Sequence, residues 1–240
     1  MKTFCSIILF ILSFYCSTAQ TLTGQELLDK AIKYHDPNNQ WKTFNDTLFV
    51  TMETPKNADR DSKIIINLPK EFFYVKAQRD TITTEYTVTK DTCKIVYNGR
   101  SKVSDALAKA KNLNCERATL YKNYYTYLYG LPMKLKDPGT TINPKVEQVT
   151  FKDKPYLKLK VTYDAAVGKD IWYFYFNPKT YAMEVYQFFK TDEDGNENPE
   201  SGEYILLSET ETVSDIKIPK VRAWYYNKDN LYLGTDILKK

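Results

Sequence analysis

The segment IWYFYFNPKTYAMEVYQFF, residues 171–189, restricts the fold more than any other part of the chain. Centred on Asn177-Pro178-Lys179, it reads as a β-hairpin. In its first strand Trp172, Phe174 and Phe176 face one way and Ile171, Tyr173 and Tyr175 the other. In its second strand Met183 and Val185 oppose Tyr186 and Phe188. Side chains alternate across a strand, so this hairpin is apolar on both faces and belongs mid-sheet, covered on both sides. A closed eight-stranded barrel or an open barrel filled by helices meets that requirement. The rings themselves are compatible with a cavity or with dense packing.

The neighbouring sequence supplies both strands and helices. LTGQELLDKAIKYHDP carries a capping box, Thr23 with Glu26, and an apolar stripe of Leu27, Leu28, Ala31 and Ile32, and Pro37 stops the helix. From Trp41 the pattern turns to period two, with TPKNADRD as a hairpin turn. SKIIINL, EFFYVKAQ, TITTEYTVT and CKIVYNG follow as short strands. Residues 103–129 then read as helical. Within them Leu113, Arg117, Leu120, Tyr124 and Leu128 fall on one side, and Tyr121, Tyr125 and Tyr129 form an adjacent row. Gly130 and Pro132 end this helix. The remainder returns to hairpins, so the sheet is expected to be antiparallel. A helix apolar over so wide an arc is expected to sit inside that sheet.

The first 19 residues carry Lys2, an apolar run from Ile7 to Tyr15, and the small residues Ser17-Thr18-Ala19, the pattern of an export signal. Cys16 offers a lipidated N-terminus as the alternative, although bulky Phe14-Tyr15 stand where such a signal has small residues. The expected organisation is a leader over residues 1–19 and one domain over 20–240, exported to the periplasm or secreted. Peripheral contact with the envelope is compatible with this. The net charge of +4 is too mild to imply nucleic acid. Beyond the leader only Cys93 and Cys115 remain, as a disulfide or as two buried thiols.

Signatures of chemistry are sparse. His35 is the single histidine, which excludes His-rich zinc sites and HExxH; at a helix C-terminus, its imidazolium would suit the helix dipole. No glycine-rich nucleotide loop occurs, so no cofactor is expected. The loop DEDGNENPESGE, residues 192–203, places oxygen-bearing side chains at EF-hand intervals. It has Glu197 where the turn needs glycine, and reads as a solvated hairpin loop. Arg117 and Arg222 each call for a carboxylate, carbonyls or an aromatic face, or else an anionic ligand.

Through YLYGLPMKLKDPGT, DIWYFYFNP, GEYILL, IPKVRAWYYN and YLGTD, with KYHDPNNQW near the start, the chain resembles an uncharacterised family of exported bacterial proteins. The resemblance spans nearly all of the chain after the leader. The order of elements is similar to the LolA/LppX-like lipoprotein-carrier architecture of outer-membrane lipoprotein sorting. It implies an α+β fold: a strongly curved antiparallel β-sheet, an open half-barrel wrapped around central helices, with an N-terminal helix. It brings no catalytic residue, and no motif here matches the arginine with which such carriers control lipid release. The expected function is a non-catalytic binding or carrier protein for a lipid, lipoprotein acyl chains or another apolar ligand. The expected walls are Tyr121, Tyr124, Tyr125, Leu128, Trp172, Phe174, Phe176 and Met183, with Arg117. The alternatives are a structural or interaction module with a filled core and an envelope glycan or ester hydrolase using paired carboxylates.

Overall fold

The computed structural model describes residues 22–239; the leader and Cys16 lie outside the described residues. Helix α1 (Gly24–His35) begins at the expected capping box. Glu26 N–H donates to Thr23 Oγ1 (3.3 Å) and Thr23 N–H donates to the Glu26 carboxylate (2.8 Å). After it, buried Asp36 accepts the N–H groups of Gln40 (2.7 Å) and Trp41 (2.9 Å), which fixes a single 3-10 turn at Trp41–Thr43.

The first run of strands is β1 (Asn45–Thr54), β2 (Asn57–Asn67), β3 (Phe72–Arg79), β4 (Ile82–Val88) and β5 (Cys93–Tyr97). The β1–β2 turn is only Pro55-Lys56, so most of TPKNADRD is strand rather than turn. The helical region divides into α2 (Asp105–Ala110) and α3 (Cys115–Gly130). Ser104 and Asn114 cap them by accepting the N–H groups of Leu107 and Arg117. The second run is β6 (Thr140–Phe151), β7 (Lys154–Tyr163), β8 (Ile171–Phe176), β9 (Met183–Phe189), β10 (Glu203–Val213), β11 (Ile216–Tyr226) and β12 (Tyr232–Lys239). Two of its turns, Lys152-Asp153 and Ser214-Asp215, have positive φ at both residues, the geometry that matches the twist of paired strands.

All twelve strands form one antiparallel sheet in the order β5-β4-β3-β2-β1-β12-β11-β10-β9-β8-β7-β6. The two runs join at the pairing of β1 with β12, the first strand with the last. The first run therefore proceeds outward from that seam to β5 and the second inward from β6 to β12, and β5 and β6 are edges that do not meet. The sheet is an open half-barrel, and α2 and α3 carry the chain from one edge to the other.

Two clusters fill the inner face. One joins Trp41, Phe44 and the inward side chains of β1–β4 to Ala118, Tyr125 and Tyr129 of α3. The other joins Leu27, Leu28 and Ala31 of α1 to Leu128, Phe174, Phe176, Met183 and Tyr186. The outer face of β7–β9 carries a thinner layer of Tyr156, Tyr175 and Val185 with Tyr173 and Phe151. Among the described residues no second layer of elements covers it. Its phenols instead bond to polar neighbours: Tyr173 to Glu197 (2.7 Å), Tyr156 to Glu184 (3.1 Å) and Tyr175 to Gln187 (2.5 Å). Met183 and Val185 do not share a face as expected. The register shifts beside Glu184, which sends Met183 inward and Val185 outward.

A disulfide joins Cys93 of β5 to Cys115 at the start of α3 (Cα–Cα 5.8 Å), resolving the two readings of that pair in favour of the bridge.

Candidate functional site

Helix α3 crosses the mouth of the half-barrel, and its two sides meet different surroundings. Ala118, Tyr125, Leu128 and Tyr129 are buried against the sheet, while Leu120 is 55% exposed. The row expected to bury Leu120 with Tyr124 and Leu128 therefore opens toward the N-terminal half of the helix. At the other end, Gly130 lies against the Trp41 ring. A Cβ at residue 130 would come within 2.3 Å of it, so this end of α3 is pinned by close contact.

Clefts flank the exposed side. One, of about 640 Å³, has Leu120, Tyr124, Tyr127, Tyr163, Val167 and Trp172 among its walls. Val167, 59% exposed, stands at its rim. The Tyr127 and Tyr163 hydroxyls are hydrogen-bonded to each other, and Trp172 meets the Tyr127 ring edge-on. Burial holds the Tyr127 phenol well above its ordinary range and pushes Tyr163 up to about 12, so both stay neutral. On the opposite flank a cleft of about 270 Å³ is formed by Met52, Arg60, Arg117, Leu120, Tyr121 and Tyr124. A third, of about 260 Å³, shares Arg60, Arg117 and Tyr121 with it and adds Arg79 and Lys111.

Beneath these clefts lies a row set by strand register: Arg79, Arg60, Met52, Asp236 and Arg222 are successive partners across β3, β2, β1, β12 and β11. Arg222 is 1% exposed. Its Nη1 donates to the Pro219 carbonyl (2.9 Å), and its guanidinium lies 4.2 Å from the centroid of Tyr129. Asp236 is 3% exposed, and burial raises its carboxyl above the ordinary range against the pull of Arg222 and Arg60. Arg222 Nε and Asp236 Oδ1 have no hydrogen-bond partner among the described residues. Arg222 thus has the carbonyl and aromatic face its sequence context called for. Arg117 lies 5.0 Å over the Tyr121 ring.

His35 is structural but not as an imidazolium. It is 3% exposed; Nε2 accepts the Met183 N–H (3.0 Å), and Nδ1–H donates to the Lys217 carbonyl (2.7 Å). That arrangement requires the neutral ring. Burial, first, lowers its pKa to about 4, against the hydrogen bond to the Lys217 carbonyl and with the charges of Lys217 and Arg222. In the 192–203 loop the Asp192 carboxylate accepts the backbone N–H groups of Asp194 (3.0 Å) and Asn196 (2.8 Å), and Glu197 accepts from Tyr173. Its acids close turns and anchor the loop. Among the described residues no group of three or more His, Cys, Asp or Glu side chains is placed to hold a metal ion.

Of the residues expected to line a site, Arg117, Tyr121, Tyr124 and Trp172 stand on cleft walls. Tyr125, Leu128, Phe174, Phe176 and Met183 are packed within the two inner clusters. Arg60, Arg79, Tyr127 and Tyr163 were not among those expectations. Arg60 and Arg79 had a signal: each continues the parity of an apolar strand face, Ser62-Ile64-Ile66 and Phe73-Val75-Ala77.

No curated protein matches this chain. Among solved structures, a LolA superfamily protein from Nitrosomonas europaea is similar at 10% identity, covering 92% of this chain and 93% of that one, with a TM-score of 0.49. A DUF1329 family protein from Desulfovibrio piger ATCC 29098 is similar at 7% identity, covering 90% and 91%, with a TM-score of 0.46. The family model for DUF6503, a family of unknown function, matches residues 2–239, and the chain belongs to that family.

Proposed function

We propose that this chain is an exported, non-catalytic binding or carrier protein for a lipid or similar amphiphile, held at the mouth of the half-barrel along α3. The observation that carries this reading is the exposed Leu120 between clefts of about 640 and 270 Å³ that share it and Tyr124 as walls. Tyrosine and tryptophan rings suit an amphiphile because each offers an apolar face and a polar tip. The export signal read in the first 19 residues supports the compartment, as does the Cys93–Cys115 bridge, since disulfides persist where the surroundings are oxidising. The tight inner clusters move the proposed ligand away from the deep interior. Phe174, Phe176, Tyr186 and Val75 are fully buried, so acyl chains are assigned to the flanks of α3.

The same filled interior favours a second reading, a structural or interaction module of the envelope. Native mass spectrometry of protein purified without detergent separates the two. A carrier retains lipid that is lost on delipidation and regained from vesicles of phosphatidylethanolamine and phosphatidylglycerol. Leu120→Asp is expected to prevent the regain. An unloaded protein that takes up no lipid from vesicles would reject the carrier reading in favour of the module.

A further inference from the structure

Lys158 sits opposite Glu147 (2.9 Å), and Lys76, although paired with Lys63 on one side, has Glu85 on the other (4.0 Å). On the inner face Arg60 of β2 is the direct partner of Arg79 of β3, and their other cross-strand partners, Met52 and Ile82, offer no carboxylate. Like charges in directly opposed positions destabilise a sheet unless something offsets them. Arg117 reaches the same place from α3, and Lys111 from the end of α2, so four cations border one cleft of about 260 Å³. The cleft's walls include no Asp or Glu; the rest are apolar, phenolic or threonine side chains. Among the described residues none of these four cations is in an ion pair, and the Nε atoms of Arg60 and Arg79 have no hydrogen-bond partner. Asp236, in the same row, is separated from Arg60 by Met52 and stands opposite Arg222.

We infer that this arginine cleft receives an anionic head group, a phosphate or carboxylate, of an amphiphile whose chain lies along Met52, Leu120 and Tyr124 in the adjoining cleft. The inference rests on the carrier reading and gives it a charge preference. Guanidinium groups hold phosphate and carboxylate oxygens through paired charge-assisted N–H donors, and partial burial strengthens each such bond. Arg60 and Arg117 belong to both clefts, so head and chain sites meet along one edge of α3.

Calorimetric titration of the folded protein below micelle concentrations tests this with four probes: dodecyl phosphate, dodecyl maltoside, dodecyltrimethylammonium and inorganic phosphate. The expected result is that dodecyl phosphate binds roughly tenfold or more tightly than the neutral and cationic chains, the size of one charge-assisted contact, and weakens as salt is raised. Arg79→Gln, at a partly exposed position that borders only the head-group cleft, should remove most of that preference while leaving dodecyl maltoside binding unchanged. Arg117→Gln and Arg60→Gln, with circular dichroism confirming the fold, should also remove most of the preference. Equal binding of all three chains overturns the head-group assignment and leaves the carrier reading standing. If no chain binds, both fall. If inorganic phosphate binds as tightly as dodecyl phosphate, the arginines hold a free anion and the amphiphile assignment is overturned.

Discussion

His35 ties acid stability to two hydrogen bonds that join α1 to the sheet. Its ring accepts from Met183 N–H on β9 and donates to the Lys217 carbonyl on β11. Protonation would put a proton on Nε2, turn that acceptor into a donor aimed at Met183 N–H, and add a charge at a site that is 3% exposed. The folded pKa of about 4 lies below the ordinary 6.5. Between these values the unfolded chain binds the proton and the folded one does not, so the stabilisation is complete above pH 6.5 and is lost as pH falls toward 4. With 1.36 kcal/mol per unit, His35 alone costs about 1.4 kcal/mol by pH 5.5 and about 2.6 kcal/mol by pH 4.5.

Urea denaturation at pH 7.5, 5.5 and 4.5 gives the total change, which also contains the carboxylates. His35→Gln isolates the histidine, since its amide can offer one donor and one acceptor and does not titrate. The variant is expected to be less stable than the parent at pH 7.5, because the amide fits two fixed partners less well. The gap should close by about 2–3 kcal/mol on going to pH 4.5. A gap independent of pH would refute the reasoning and mean that His35 stays neutral in both states or is solvated enough to charge in the fold.

Three further outcomes follow from packing and covalent structure. Replacing Cys93 and Cys115 by serine opens a loop of 22 residues, which in the chain-entropy account costs about 3 kcal/mol of unfolding free energy, read by thermal or urea denaturation. Hydrogen exchange should then rise first at the N-terminal turns of α3, which the bridge holds to β5. Gly130→Ala drives a methyl into Trp41 and Lys134, and should destabilise by about 1–3 kcal/mol while shifting Trp41 fluorescence. Arg222→Met leaves Asp236 buried beside no cation on β11 and should cost about 3 kcal/mol or more; adding Asp236→Leu should recover part of the loss, and strictly additive effects would show that the two do not interact.

The architecture was legible because it depends on periodicities that a single sequence displays. The Thr23–Glu26 box, the two-faced hairpin of residues 171–189 and the long helix ending at Gly130 each appear where their spacing places them. Turn positions within hairpins were less legible. Four of the five residues from Asn57 to Asp61 are polar, and that polarity suggested a turn, yet these residues sit in the largely exposed half of β2. The shift at Glu184 was invisible for a related reason. A bulge changes which face a residue occupies without changing the composition of the strand.

The site was half legible because core and cleft walls use the same residue types here. Density of rings pointed to α3 and β8, both of which contribute cleft walls, but could not separate Tyr125, sealed against Phe73, from Tyr124, which borders two clefts. What separates them is the angle of α3 to the sheet, a tertiary quantity. Charge on an apolar face is the better guide. Arg60, Arg79, Arg222 and Asp236 all occupy inward positions of strands that are otherwise hydrophobic, where each pays desolvation that an outward position would avoid. Strand register then gathers them into one row of three arginines and a single carboxylate, the arrangement from which the anionic head group is proposed.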